Sequence, residues 1–235
     1  MTGQPRTVGI LGGMGPEATV LLMQRIIEKT PAQDDRDHVP LIVANNTQVP
    51  SRIEALIEGT GADPAPVLSD MARRLETYGA AALAMPCNTA HAYASAIREA
   101  ATIPFLDMVA GSVATAANVA TAKVGLLASP ATRMTRLFET ALAPHGLAPL
   151  YGADEGKTLS AIRALKRSSA DPAARTIAQD ATCELASAGA EVILVACTEF
   201  SLIAKELPHP VPVIDTIDVL ADAVIAFSRG ADQAV

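Results

Sequence analysis

The sequence predicts an α/β fold of two pseudo-symmetric lobes, each a small mainly parallel sheet flanked by helices, with the active site in the cleft between them. Three observations predict it. Short, continuous apolar runs alternate with segments of helical periodicity, the pattern of strands buried on both faces and covered by helices. The motifs of the first half return in the same order in the second. Val8-Gly9-Ile10-Leu11 is matched by Val124-Gly125-Leu126-Leu127, Pro86-Cys87-Asn88-Thr89 by Ala196-Cys197-Thr198-Glu199, and Ile103-Pro104-Phe105-Leu106-Asp107 by Val211-Pro212-Val213-Ile214-Asp215. Their offsets of 116, 110 and 108 residues drift as loop deletions would make them drift, so the chain reads as an internal duplication. The repeat sets an N-terminal lobe at residues 1–106 with 216–235 and a C-terminal lobe at 107–215. Finally, open α/β sheets bind ligands at the carboxyl ends of their strands. Cys87 and Cys197 both stand at such ends, which places two thiols on opposite walls of one cleft.

Taken in order, residues 7–11 form the first strand and Gly12-Gly13-Met14-Gly15 a tight turn. Pro16 suits the first position of a helix, where a missing N–H costs nothing. Val20, Leu21, Met23, Ile26 and Ile27 supply that helix with an apolar stripe as far as Lys29. Residues 41–44 are the second strand, with a polar tip at Asn45-Asn46-Thr47-Gln48 and Arg52 just beyond. Residues 59–66, rich in Gly, Pro and Asp, read as a loop, and residues 71–78 as a helix stopped by Gly79. A strand at 80–85 delivers Cys87, a helix follows at 90–101, and residues 103–107 are a short strand. The second half repeats this plan. Residues 123–128 are a strand, Ser129-Pro130-Ala131-Thr132 opens a helix to about Leu142, and a short segment ends at Tyr151. Residues 159–166 are a short helix. Asp171 caps a long helix through Ala188 that Gly189 stops. Strands at 192–196 and 211–215 and a closing helix at 217–227 complete the chain.

Composition narrows the function. Half of the 235 residues are hydrophobic and 18% are charged, a globular balance for one domain or two small ones. A net charge of −7 without a basic run argues against nucleic acid and membrane surfaces as partners. Aromatics make up 3% with no tryptophan, so stacking on bases or sugars is not the design. Three cysteines are an odd number for a disulfide framework, and no cleavable leader precedes the first strand. They read as reduced thiols in a cytoplasmic protein. The most apolar long window, residues 100–122, is broken by Pro104 and Asp107 and does not read as a membrane span. The four histidines lack metal-ligand spacing with the cysteines, so no metal site is implied. Cys183, mid-helix among alanines, reads as core.

Several stretches together resemble the aspartate/glutamate racemase family, which works without pyridoxal phosphate. They are Gly9-Ile10-Leu11-Gly12-Gly13-Met14-Gly15-Pro16-Glu17-Ala18-Thr19, Asn45-Asn46-Thr47-Gln48-Val49-Pro50-Ser51-Arg52, Pro86-Cys87-Asn88-Thr89-Ala90-His91, Lys166 and Cys197-Thr198-Glu199. They span nearly the whole chain in the family's order. Two positions depart from the family pattern. Ala196 stands where Gly usually precedes the second cysteine, and Ser129-Pro130-Ala131-Thr132 replaces a Thr-x-Gly-Thr turn. The resemblance implies an isomerase that interconverts L- and D-aspartate, glutamate or both, with no cofactor, a small dicarboxylic amino acid as its partner, and a homodimer.

That chemistry explains the residue types. Inverting Cα means taking a proton from one face and returning one to the other, so two fixed bases spare one base from swinging around the substrate. A thiol, with a reference pKa of about 8.5, is readily poised for both roles. Cys87 and Cys197 are assigned them. The charge that develops on the carbanion calls for fixed donors. Backbone N–H groups after each cysteine, and the side chains of Asn88, Thr89 and Thr198, are candidates; Asn88 and Thr89 also suit helix capping. By the resemblance, Arg52 and Lys166 are charged groups lining the site. Arg52 could hold the side-chain carboxylate as a bidentate pair, and Lys166 could lower a thiol pKa or grip a carboxylate. Glu199 could hold the substrate ammonium or orient a neighbour, and Met14 and Thr132 complete the substrate contacts. His91, one turn beyond Cys87, reads as an ordinary core or surface histidine.

Other readings stay open at this point. A maleate-type cis-trans isomerase or a related decarboxylase shares the same superfamily. A Rossmann-like nucleotide-binding protein is suggested by Gly13-x-Gly15-x-x-Ala18 after a strand, although Glu17 occupies the place of a pyrophosphate and the second strand ends in amides rather than an acid. A redox sensor would need Cys87 and Cys197 within disulfide reach, which a substrate-wide cleft forbids.

Overall fold

A computed structural model describes residues 4–230. The described residues divide into two compact units, residues 4–108 with 217–230 and residues 109–216. The first unit runs β1 (Val8–Gly12), α1 (Pro16–Lys29), β2 (Leu41–Asn45), α2 (Ala65–Thr77), β3 (Ala82–Ala84), α3 (Ala94–Ala100) and β4 (Phe105–Leu106), and the chain leaves it through α4 (Met108–Ala117). The second runs β5 (Lys123–Ala128), α5 (Pro130–Met134), α6 (Leu137–Leu142), β6 (Ala148–Tyr151), α7 (Glu155–Leu165), α8 (Pro172–Ser187), β7 (Val192–Ala196), α9 (Thr198–Ser201) and β8 (Val213–Asp215). Helix α10 (Thr216–Ser228) ends the described chain. All pairings are parallel, and the strand orders are the same in both sheets: β2-β1-β3-β4 and β6-β5-β7-β8. Among the described residues, no helix is long and apolar enough to cross a membrane.

Successive strand side chains point to opposite faces, and this splits each unit's core into two layers. In the first unit Val8, Ile10, Ala82 and Ala84 pack with Leu22 and Ile26 of α1 and with Ile217, Leu220, Ala221 and Val224 of α10. Leu11, Leu83 and Met85 pack on the other face with Leu68, Met71, Ala72 and Leu75 of α2. The second unit repeats the arrangement. Val124, Leu126, Val192 and Leu194 join Val109, Val113 and Ala116 of α4 and Phe138 and Leu142 of α6. Leu127, Ile193 and Val195 join Ile162 and Leu165 of α7 and Ala174, Ala178 and Leu185 of α8. Cys87 and Cys197 extend the same layer in their respective units, the one under α2 and the one under α8.

The helix after each last strand serves the other unit. Helix α4 follows β4 but packs in the second unit, and α10 follows β8 but packs in the first. Polar contacts clasp α10 in place. Arg6 lies 3.8 Å over the ring of Phe227 and donates from Nε to its carbonyl at 2.9 Å; Lys29 pairs with Asp222 at 2.7 Å and buried Arg25 with Asp218 at 3.2 Å.

Two local expectations need correction, and one helix goes unread. The buried face of α1 is Ala18, Thr19, Leu22, Arg25 and Ile26, so Val20 and Ile27 lie on the solvent side, 63% and 55% exposed; the apolar stripe is shifted in phase. Cys183 is exposed rather than core, because α8 buries Ala174, Ala178, Ala181, Thr182 and Leu185 and position 183 falls off that face. Helix α4 escapes a periodicity reading because alanines surround its buried Val109, Val113 and Ala116 and blur the stripe.

The Gly12-Gly13 turn is dictated by close packing. Gly13 has φ +93°, and a Cβ there would lie 2.3 Å from the backbone of Asn46. Gly59, at φ +67°, faces open space. Gly13→Ala is therefore expected to cost about 3 kcal/mol or more, left-handed strain plus overpacking, and Gly59→Ala about 1 kcal/mol; urea denaturation of the two variants measures the difference.

Candidate active site

In the first unit Pro86 decides where the strand stops. Proline has no N–H for the ladder, pairing ends at Ala84, and Cys87 N–H turns back to the carbonyl of Met85 at 2.9 Å. Cys87 is 6% exposed. The chain then makes a 3-10 turn over residues 89–93 before α3 begins, so no continuous helix starts at position 90. Asn88 is buried and Thr89 half-buried at the head of that turn.

His91 Nδ1 lies 2.8 Å from the carbonyl of Cys87, and Met108 N–H lies 3.2 Å from Nε2. The amide can only donate, so Nε2 accepts and the ring proton sits on Nδ1, donated to Cys87. The imidazole is neutral: burial lowers its pKa, against an upward pull from Asp107, whose carboxylate is 3.8 Å away. His91 therefore fixes the backbone of Cys87, and its ring nitrogens are engaged away from the sulfur. Asp107, at the end of the neighbouring strand, is also paired with Arg98 at 2.5 Å.

Met14 is buried in the layer that contains Cys87 and Val49. Close by, Arg52 Nη1 donates to the carbonyls of Val49 and Pro50 at 3.3 and 2.8 Å, while its Nε is buried without a hydrogen-bond partner. The glycine turn is committed to protein contacts. Thr19 Oγ1 accepts from Gly13 N–H at 2.9 Å and donates to the carbonyl of Gly15 at 3.2 Å. The amide a pyrophosphate would use is taken, which removes the main support for the nucleotide-binding reading.

In the second unit Ala196 stays in the ladder, paired with Ala128, so Cys197 comes directly off the strand. It is 5% exposed and caps the four-residue helix α9, its carbonyl accepting from Phe200 N–H at 2.9 Å. Its Sγ donates to Glu199 Oε2 at 3.0 Å, and Lys166, at the end of α7, approaches Glu199 Oε1 at 3.4 Å. Burial, then the Glu199 charge and its side-chain hydrogen bond, push the Cys197 thiol well above its ordinary pKa, while the Glu199 backbone N–H and Lys166 pull it down. Thr198 is buried beside it. Thr132 is fully buried, and both its N–H and its hydroxyl donate to the carbonyl of Ser129, which caps α5. Its hydroxyl keeps only acceptor capacity toward a ligand.

The fold therefore gathers Met14, Arg52 and Cys87 with its turn in one unit, and Lys166, Cys197, Thr198 and Glu199 in the other. One pair is missed by the sequence reading. Ser201 Oγ, four residues past Cys197, donates to buried Asp215 at 2.6 Å; the match of Asp107 with Asp215 was its available signal. None of the cysteines is in a disulfide. Among the described residues, no group of three or more His, Cys, Asp or Glu is placed to hold a metal ion.

Residues 11–224 match the family model described as Asp/Glu/hydantoin racemase. The broad specificity amino-acid racemase RacX of Bacillus subtilis is 25% identical over 224 residues, 93% of this chain and 96% of that protein. The aspartate racemase structure from Picrophilus torridus superposes with a TM-score of 0.82 at 27% identity, covering 95% of this chain and 94% of that one. A glutamate racemase isoform from Bacillus anthracis superposes with a TM-score of 0.68 at 19% identity, covering 100% and 85%, a likeness of fold.

Because the folded pKa of His91 is lowered, the unfolded chain binds the proton first as pH drops past the ordinary value of 6.5. Stability is full above that value, falls below it by up to about 1.4 kcal/mol per pH unit, and levels off under the folded pKa. Urea denaturation from neutral to mildly acid pH should show this slope, and His91→Gln should lack it.

Proposed function

The chain belongs to the Asp/Glu/hydantoin racemase family, and from that premise we propose that it is an amino-acid racemase, acting on aspartate, glutamate or both by a two-base transfer between Cys87 and Cys197 without a pyridoxal cofactor. The observation that carries this reading is the duplicated placement of the two thiols. Each follows the same central strand of an equivalent sheet, on the same layer, buried and outside any disulfide.

The chemistry balances with two sulfurs. One thiolate takes the α-proton, and the C–H electron pair stays on the substrate, spread into its carboxylate. The other thiol returns a proton to the opposite face, and the product leaves with the two protonation states exchanged. Asn88, Thr89, Thr198 and the amides after each cysteine stabilise the carboxylate as charge develops. Arg52 takes the side-chain carboxylate, a role supported by its unpartnered Nε. Lys166 and Glu199 supply charge beside Cys197, and Met14 and Thr132 bound the substrate. A homodimer and a cytoplasmic location belong to the same reading.

Purified protein incubated with each enantiomer of aspartate and glutamate, without added cofactor, should yield both enantiomers on a chiral column. Failure with all four would overturn the racemase assignment. Cys87→Ser and Cys197→Ser should each lower racemisation by at least about 100-fold while retaining α-hydrogen exchange from one enantiomer only. A fully active variant would refute the two-base scheme. Arg52→Ala should raise KM for the dicarboxylic substrates by about tenfold or more, the loss of a charge-assisted pair.

A further inference from the structure

The duplicated halves differ two residues beyond their cysteines, where Thr89 follows Cys87 and Glu199 follows Cys197. Glu199 is 9% exposed and uses both oxygens: Cys197 Sγ is 3.0 Å from Oε2 and Lys166 Nζ is 3.4 Å from Oε1. A carboxylate can only accept, so the contact at sulfur requires S–H as donor, and a thiolate at that distance would face an anion. The proton between the pair therefore sits on sulfur, donated to Oε2.

We propose that Glu199 is a positioning residue that holds Cys197 as a thiol and aims its proton, with Lys166 setting the strength of that hold. It rests on the racemase reading above and deepens it, since Cys197 becomes the resting acid of the two-base scheme. Besides the Glu199 backbone N–H, which also meets the sulfur and which Glu199→Gln leaves in place, these two groups carry the task. The layer around Cys197 is apolar, with Leu127, Ile162 and Phe200 among its members. The remaining acid on the adjacent strand, Asp215, accepts from Ser201 at 2.6 Å. The shift of the Cys197 thiol has the matching sign, raised by burial and the Glu199 carboxylate and lowered by the Glu199 backbone N–H and by Lys166.

The test uses the full chain carrying Cys87→Ser and Cys183→Ser, so that Cys197 is the only thiol. Its protonation is followed against pH by thiolate ultraviolet absorbance and by the rate of alkylation with iodoacetamide. Glu199→Gln, which keeps the side-chain volume, should move the midpoint to lower pH and speed alkylation at neutral pH by at least about tenfold. Lys166→Met should move the midpoint the other way. Opposite shifts from the two variants are a signature that general damage to the fold would not produce. A Glu199→Gln midpoint that stays put or rises overturns the proposal; a rise would mean that Glu199 draws the proton off sulfur. Racemisation is read separately in the chain with all three cysteines. Opposite shifts without racemisation overturn only the racemase reading, and unchanged midpoints with racemisation intact overturn only this proposal.

Discussion

Burial of the central strands on both faces is the constraint from which the rest follows. Every residue of β1, β3 and β7 is buried, and an unpaired charge in such a position would cost several kcal/mol. Polar chemistry is thus displaced to the strand ends, where backbone leaves the ladder. The alternation of side chains then selects the layer, which is why Cys87 and Cys197 share the α2 and α8 sides of their sheets. Two facts about β-structure, burial and a period of two, place both sulfurs before any specific contact is considered.

Much of this is legible in the sequence. The strands are continuous apolar runs, the motif order repeats, and the strand order of one sheet is copied in the other. The family is legible too, because Gly12-Gly13, Pro86-Cys87 and Cys197-Thr198-Glu199 leave distinctive strings. What the sequence hides is what depends on phase and partners. In α1 the face is fixed by Leu22 and Ile26 together with a buried arginine, which no hydrophobic count selects. In α4 alanines mask the period. The direction of His91, toward a carbonyl and an amide rather than a sulfur, depends on Met108, seventeen residues away.

The copied scaffold carries unlike tips. Four residues after the cysteine, one half uses a neutral histidine to brace the cysteine backbone, and the other uses a serine to occupy the strand-end aspartate. One half leaves its ladder at a proline, while the other keeps an alanine in register. A symmetric frame with unsymmetric ends fits a reaction whose two enantiomers present mirror-image demands while the enzyme remains made of L-residues.

The crossed helices carry a historical consequence. Each sheet is covered on one face by the helix that the other repeat hands over, the second by α4 from the first half and the first by α10 from the second. A polypeptide holding a single repeat could complete the cover of that apolar face by trading its last helix with a twin. The covalent link between the halves thus stands where an exchanged pair of short chains could once have closed, and gene fusion would have made a swapped partnership permanent.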